Sequence, residues 1–382
     1  MSAAADDFSL PSWSYLDPEF LELERERIFL PSWQIICHVS EIPNPGDYQC
    51  FDFAGEMLFA MRGNDGSVRA FHNVCRHRAA RLLDGPRGHC TRRIVCPYHA
   101  WSYDLEGKLA SVGDRSAFPH LDISRESLVP VEMEMYAGFV FARVKGGGPT
   151  VAEMMAPYAD EIATHEFEKL EPIGRVTLRP RTVNWKNVGD NYSDALHIPV
   201  AHPGLTRLLG ASYGVESKEW VDRMWGHISE KSSKNWSERM YQHTLPDSPN
   251  LAQDKRRSWV YFKLWPNYAF DCYPDQVDIM QWLPVTPTTC LIREIGYAKP
   301  DARREMKVAR YCNWRINRQV NAEDTVLIQR VQDGMASGSY RVGPLAAGEV
   351  ALRSFGKRMR ALIPESRDPA PPVAGWSRRA AG

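Results

Sequence analysis

Two short cysteine–histidine motifs constrain this chain more than anything else in it: Cys75-Arg76-His77 and, after eighteen intervening residues, Cys96-Pro97-Tyr98-His99. Two thiolates and two imidazoles can hold one zinc ion, or a [2Fe–2S] cluster with the thiolates on one iron and the imidazoles on the other. Zinc fingers more often set Cys-x2-Cys on one element and a histidine pair on a helix. Here each loop offers one thiolate and one imidazole, so the two loops can clasp a binuclear cluster from two sides. The spacing therefore favours the cluster over zinc. His72 reads as a strand residue, and His89 and Cys90 as an insertion tip without a metal role.

The surrounding pattern fits a small all-β module. Short alternating or apolar runs (33–39, 48–53, 57–62, 68–72, 94–95 and 138–144) are separated by turn signals such as Pro43-Asn44-Pro45-Gly46. Ahead of them, Asp17-Pro18 opens a capped helix to Phe29. Gly146-Gly147-Gly148-Pro149 closes the module. Beyond it the sequence predicts an amphipathic helix over 150–167, a strand over 174–179 and a helix carrying Asn184 to Leu196. A polar, tryptophan-dotted stretch then runs to Lys255, followed by several antiparallel strands over 258–298 and a long helix over 306–335. The tail is rich in proline, alanine and arginine. Strands with segregated helices indicate an α+β class. The expected division is an N-terminal helix (1–32) belonging to the catalytic part, a β module (33–146) and a second domain (147–382).

That second domain carries Asp194-Ala195-Leu196-His197 and then His202. On a helix Asp194 and His197 share a face, and Pro199 breaks the helix soon after, so that His202 can swing back to the same point. Two imidazoles and one carboxylate make the facial triad of iron(II) oxygen chemistry, with positions left open. The carboxylate must come from farther along; Glu323, Asp324 and Asp333 on the long helix are the candidates.

Composition removes other classes. Lysine plus arginine equal aspartate plus glutamate at 47 each, so neither nucleic acid nor an anionic membrane surface is expected as a partner. No secretory signal and no run of ~20 apolar residues stands out, which points to the cytoplasm. There the eight cysteines read as thiols and ligands rather than disulfides, with Cys37, Cys50, Cys272 and Cys290 as small buried hydrophobes. No Gly-x-Gly-x-x-Gly follows a strand and no P-loop is present. Electrons must come from outside the chain.

Residues 73–78 and 96–107 resemble the two ligand loops of Rieske proteins, with Ala100 where glycine is usual. The run Asn184 to His202 resembles the iron-binding segment of the Rieske non-haem iron oxygenases, down to Asn184-Trp185-Lys186. The likeness spans about Trp33 to Leu362. It implies an all-β Rieske [2Fe–2S] module, held by Cys75, His77, Cys96 and His99, ahead of a helix-grip domain with mononuclear Fe(II) on His197, His202 and Asp324. Asn191 is expected near the iron. It further implies that Asp194 bridges His197 to His99 of a neighbouring subunit for electron transfer, hence a head-to-tail homotrimer. NAD(P)H would supply electrons through a separate reductase, with or without a ferredoxin, and O2 would oxidise a small substrate. The resemblance is to the shorter trimeric type, which includes demethylases of betaine-like amines and hydroxylases of aromatic acids. The expectation is oxidative N-demethylation of a quaternary or N-methyl amine; hydroxylation or dihydroxylation of an aromatic ring and a pure Rieske electron carrier are the alternatives. Nine aromatics (Trp220, Trp225, Trp236, Trp259, Tyr261, Trp265, Tyr268, Tyr273 and Trp282) supply candidates for a cation cage or an aromatic slot.

Overall fold

The computed structural model describes residues 6–210 and 213–377. They form two compact units: residues 30–153 with 167–171, and residues 6–29, 154–166 and 172–377.

The smaller unit is built from three antiparallel sheets. Gln34–His38, Phe139–Arg143 and Glu132–Tyr136 make one; Val68–His72, Glu56–Arg62, Asp47–Phe53 and Arg87–His89 a second; Ile94–Val95, Ser102–Tyr103 and Leu109–Ser111 a third. The cysteine loops leave different sheets, one between His72 and Arg87, the other between Val95 and Ser102. Both cysteines join a core of Phe59, Phe71, Tyr103 and Leu105. Strand Arg87–His89 was not expected; it pairs Gly88 with Tyr48, and His89 Nδ1 lies 2.9 Å from Asp47 Oδ1.

In the larger unit one antiparallel sheet takes strands β1 (Thr177–Arg181), β2 (Gly214–Ser217), β3 (Val221–His227), β4 (Ser258–Leu264), β5 (Tyr268–Cys272), β6 (Val277–Thr286) and β7 (Thr289–Ala298), in the order β2-β3-β4-β5-β6-β7-β1. Helix α1 (Trp185–Ser193) lies against β6 and β7 and against the long helix α4 (Arg304–Met335); two short helices, α2 (Ile198–Ala201) and α3 (Pro203–Leu209), stand between α1 and α4 in sequence. Trp259 and Trp282 are fully buried, each stabilising the core by ~1.5–3 kcal/mol. No helix among the described residues is long and apolar enough to cross a membrane.

Several expectations change. The helix over 150–167 is interrupted: Val151–Met155, a 3-10 turn at Ala156–Tyr158 and Ala159–His165 follow one another, because Pro157 cannot donate to the helical ladder. The stretch before Lys255 holds strands β2 and β3 and helix Trp236–Thr244, and the tail holds helix Val350–Leu362. The helix of the Asn184 segment stops at Ser193, leaving Asp194 extended at φ −83° and ψ 119°. Pro199 stands second in α2, in its first turn, rather than ending a helix, where a missing N–H costs nothing.

Candidate metal centres

In the smaller unit the two cysteine loops share one backbone design. The Cys75 N–H donates to Ala80 O and the Cys96 N–H to Trp101 O, both at 2.8 Å; the Ala79 and Ala100 N–H groups return to Cys75 O and Cys96 O, both at 3.1 Å. Each loop turns on its alanine at φ 56°, left-handed backbone that glycine adopts without strain. Histidine stands second after cysteine in one loop and third in the other. The cysteines are buried, His77 is half-buried and His99 exposed. The His77 ring stacks on Trp101 (4.9 Å, 8°) and meets His99 edge-on at 4.6 Å.

Burial pushes the Cys75 thiol above its ordinary range, and bonds from Tyr103 and the His77 N–H only partly offset this. His77 Nδ1 is buried without a hydrogen-bond partner. Two buried thiols and an orphaned imidazole nitrogen fit a [2Fe–2S] cluster, which Cys75 and Cys96 would hold through thiolates and His77 and His99 through imidazoles.

In the larger unit, Asn184 caps α1, its Oδ1 accepting from Lys186 N at 2.8 Å. Trp185 Nε1 and Lys186 Nζ both reach the buried Glu24 carboxylate, at 2.9 and 2.6 Å. This anchors α1 and delivers the chain to Asp194. From there a turn carries His197, and His202 sits buried at the junction of α2 and α3. Helix α4 presents Asn317, Val320, Asn321, Asp324 and Ile328 to the same cavity, spaced as one helical face requires.

One donor atom each from His197, His202 and Asp324 lies within 4.8 Å of the other two. His197 Nε2 faces His202 Nε2 at 3.1 Å, and Asp324 Oδ1 stands 3.0 Å from the latter and 3.6 Å from the former. Each histidine has a carboxylate behind it: Asp194 Oδ2 at 3.2 Å from His197 Nδ1, Glu323 Oε2 at 2.7 Å from His202 Nδ1. Imidazoles donating from Nδ1 hold their Nε2 lone pairs toward the common centre. Burial opposes charge on His197, yet bonds to Asp194 and Asp324 push its pKa up to about 9. His202 is raised for like reasons, while the histidines draw Asp324 below its ordinary range despite burial. The set calls for positive charge at its centre, as a divalent metal would supply.

The structure thus brings His197, His202 and Asp324 together although Asp194 and His197 do not share a helix. Glu323 lies on the outer side of His202, its Oε1 accepting from Gln319 Nε2 at 2.9 Å. Asp333 accepts from Gln329 Nε2. Asn191 lines the cavity.

The cavity holds about 930 Å³ including its mouth. Of the nine candidate aromatics, Tyr261 and Tyr273 line it. Trp259, Tyr268 and Trp282 are core residues at 0% exposure; Trp220, Trp225, Trp236 and Trp265 instead carry arginine guanidinium groups over their rings. Sequence reasoning missed Tyr192, Tyr213, Arg181, Asp271, Asp278 and Glu294 in the wall. A signal for the acids was available: carboxylates inside strands whose neighbours are otherwise apolar.

Comparison with known proteins gives two family matches: the Rieske [2Fe-2S] domain over residues 32–122 and the catalytic domain of the ring hydroxylating alpha subunit over residues 167–365. The carnitine monooxygenase oxygenase subunit of Escherichia coli (strain K12) is 31% identical over 342 residues, 87% of this chain and 86% of that one. The chloroplastic choline monooxygenase of Spinacia oleracea is 29% identical, covering 88% of this chain and 74% of its own. Among solved structures, a quaternary ammonium Rieske monooxygenase in complex with L-carnitine superposes with a TM-score of 0.77 at 25% identity, over 94% of this chain and 97% of the other. These matches set aside the bare electron carrier and the zinc reading.

Proposed function

Because the chain belongs to the ring-hydroxylating alpha-subunit family of Rieske terminal oxygenases, we propose that it removes an N-alkyl group oxidatively from a quaternary ammonium or N-methyl amine. The [2Fe–2S] cluster and the mononuclear iron supply electron transfer and dioxygen activation, drawing on a separate reductase. One observation carries the substrate assignment: the cavity against His197, His202 and Asp324 is walled by Tyr192, Tyr213, Tyr261 and Tyr273 together with Asp271 and Asp278. Aromatic faces attract a desolvated organic cation by ~0.5–2 kcal/mol each.

In the reaction, a C–H bond of a methyl group on nitrogen becomes C–OH. The second oxygen atom of O2 leaves as water with two electrons and two protons. The C–N bond of the hydroxymethyl group then breaks, giving formaldehyde and the shorter amine; the hydroxyl proton is released from a quaternary ammonium substrate and ends on nitrogen from an N-methyl amine. His197, His202 and Asp324 hold the iron; Cys75, His77, Cys96 and His99 hold the cluster. Asp194 and Glu323 orient the two iron histidines through Nδ1.

Asp194 is also the electron bridge, joining His197 to His99 of a neighbouring subunit in a head-to-tail homotrimer. Two surface features support this. The Asp194 side chain is 22% exposed and flanked by exposed Leu196 and Val200. In the smaller unit His99 is exposed beside Val95 and Tyr98, also exposed. Each half of the bridge carries an apolar rim suited to another subunit.

The test is product analysis. Supplied with a reductase, NADH and O2, the enzyme should convert a member of a panel of choline-like and betaine-like cations to formaldehyde and the demethylated amine, read by mass spectrometry. Oxygen gained on an intact aromatic acid, with every N-methyl compound unchanged, would overturn the assignment.

A further inference from the structure

The cavity floor breaks a rule of sheet construction. Asp271 on β5 is registered directly opposite Asp278 on β6, and the same cross-strand row continues to Tyr261 on β4 and Gly296 on β7. Residues in one row share a face, and this face lines the cavity. Like charges directly opposite one another destabilise a sheet, and burial raises the cost.

Among the described residues neither acid has a basic partner. Asp271 accepts from the Tyr192 hydroxyl and, at 3.5 Å, from the Tyr273 hydroxyl; Asp278 accepts from Gln276 Nε2 at 2.8 Å. Glu294, the next acid on this face, is paired with Arg179. Glycine at 296 keeps the row open, since a Cβ there would stand 2.8 Å from Asp278 Oδ1.

A second observation points to a ligand. Tyr261 is 8% exposed and lines the same cavity, and among the described residues its hydroxyl has no hydrogen-bond partner. Asp271 and Asp278 are not among the convergent ligands His197, His202 and Asp324, whose donor atoms lie within 4.8 Å of one another.

We propose that Asp271 and Asp278, with Tyr192, Tyr213, Tyr261 and Tyr273 lining the same cavity, form a charge-selective seat for the organic ammonium group of the substrate. This rests on the proposed function and adds to it the residues that read the charge. Shape alone accepts a neutral tert-butyl group nearly as well as a trimethylammonium group; aromatic faces favour the cation, and an uncompensated carboxylate pair adds to that preference a dependence on pH. Electrostatics support the seat. Burial lifts Asp271 to about 7 against bonds from Tyr192 and Tyr273, with Glu294 adding to the rise, and burial, Asp271 and Glu294 raise Asp278. A bound cation favours the ionised pair, so cation affinity rises with pH through this range.

The experiment is calorimetric titration of the full-length holoprotein, without reductant, with choline and with its neutral isostere 3,3-dimethylbutan-1-ol. Choline should bind at least about tenfold more tightly. Asp271→Asn and Asp278→Asn should each weaken choline by about tenfold, leaving the alcohol and the cluster's visible spectrum unchanged. Should these variants fail to fold, the wild-type protein still decides: choline binding should tighten severalfold from pH 6 to 8 while the alcohol stays flat. Equal binding of the two ligands, no binding of choline, variants with wild-type choline affinity, or a flat pH profile would each overturn the seat. Turnover is not read, so failure of the dealkylation assignment is detected separately, by products.

Discussion

His197 Nε2 and His202 Nε2 face each other at 3.1 Å, each ring backed at Nδ1 by a different carboxylate, Asp194 or Glu323. Two lone pairs aimed at one point repel unless a proton or a metal ion lies between them. The arrangement needs a cation, and each element of it gives a separate expectation.

Asp324 closes the set from α4. Asp324→Ala should lower iron from about three to about two per chain, leaving the cluster and its visible spectrum in place. Metal analysis beside the spectrum checks this, and stoichiometric iron retained in the variant would count against ligation by Asp324.

Glu323 acts on His202 from behind. Glu323→Ala should speed iron loss to a chelator, with affinity down ~10–100-fold. Glu323→Gln should be milder, because an amide oxygen still accepts from Nδ1. Equal losses in both variants would mean that the charge, and not the hydrogen bond, is what matters.

Asp194→Asn should retain both metals yet lower turnover by at least ~100-fold. Normal rates in this variant would remove the bridge.

In the metal-free protein the carboxylates hold His197 at about 9, above its ordinary value near 6.5. The sign follows from linkage: a raised histidine stabilises the fold below ~6.5, and that stability is lost as pH climbs through 9. Metal binding must displace the proton. The melting temperature of the apoprotein should therefore fall between pH 7 and 9, while its affinity for Co(II), used as a probe, should rise. Parallel pH trends in stability and affinity would contradict this.

Ala100 occupies left-handed backbone at φ 56°. Ala100→Gly should be neutral or stabilising by up to ~1 kcal/mol, and Ala100→Val should be destabilising. Thermal bleaching of the cluster absorbance reads both.

The candidate ligand sets were legible in the sequence because metal chemistry restricts residue type and spacing so tightly. Cys75, His77, Cys96 and His99 needed only two loops, and His197 with His202 only a chain reversal between them. The expected route to that reversal was wrong: proline was read as a breaker, but α1 ends at Ser193 and Pro199 starts a new turn. Asp324 over Glu323 came from family likeness, since neighbouring acids on a helix differ only in the direction they face. The cavity wall was not legible. Tyr261, Asp271 and Asp278 converge through cross-strand register, and register depends on pairing partners remote in sequence. Tyr213 and Tyr192 arrive from separate segments altogether.

Electrons held by this chain should end in dealkylation of a cation. The most direct measurement is one single-turnover reaction: reduce the protein chemically, remove the reductant, then admit O2 with the N-methyl cation that gives product in the panel. Loss of the reduced cluster's spectrum should be matched by formaldehyde and demethylated amine. Cluster oxidation without either product would contradict this.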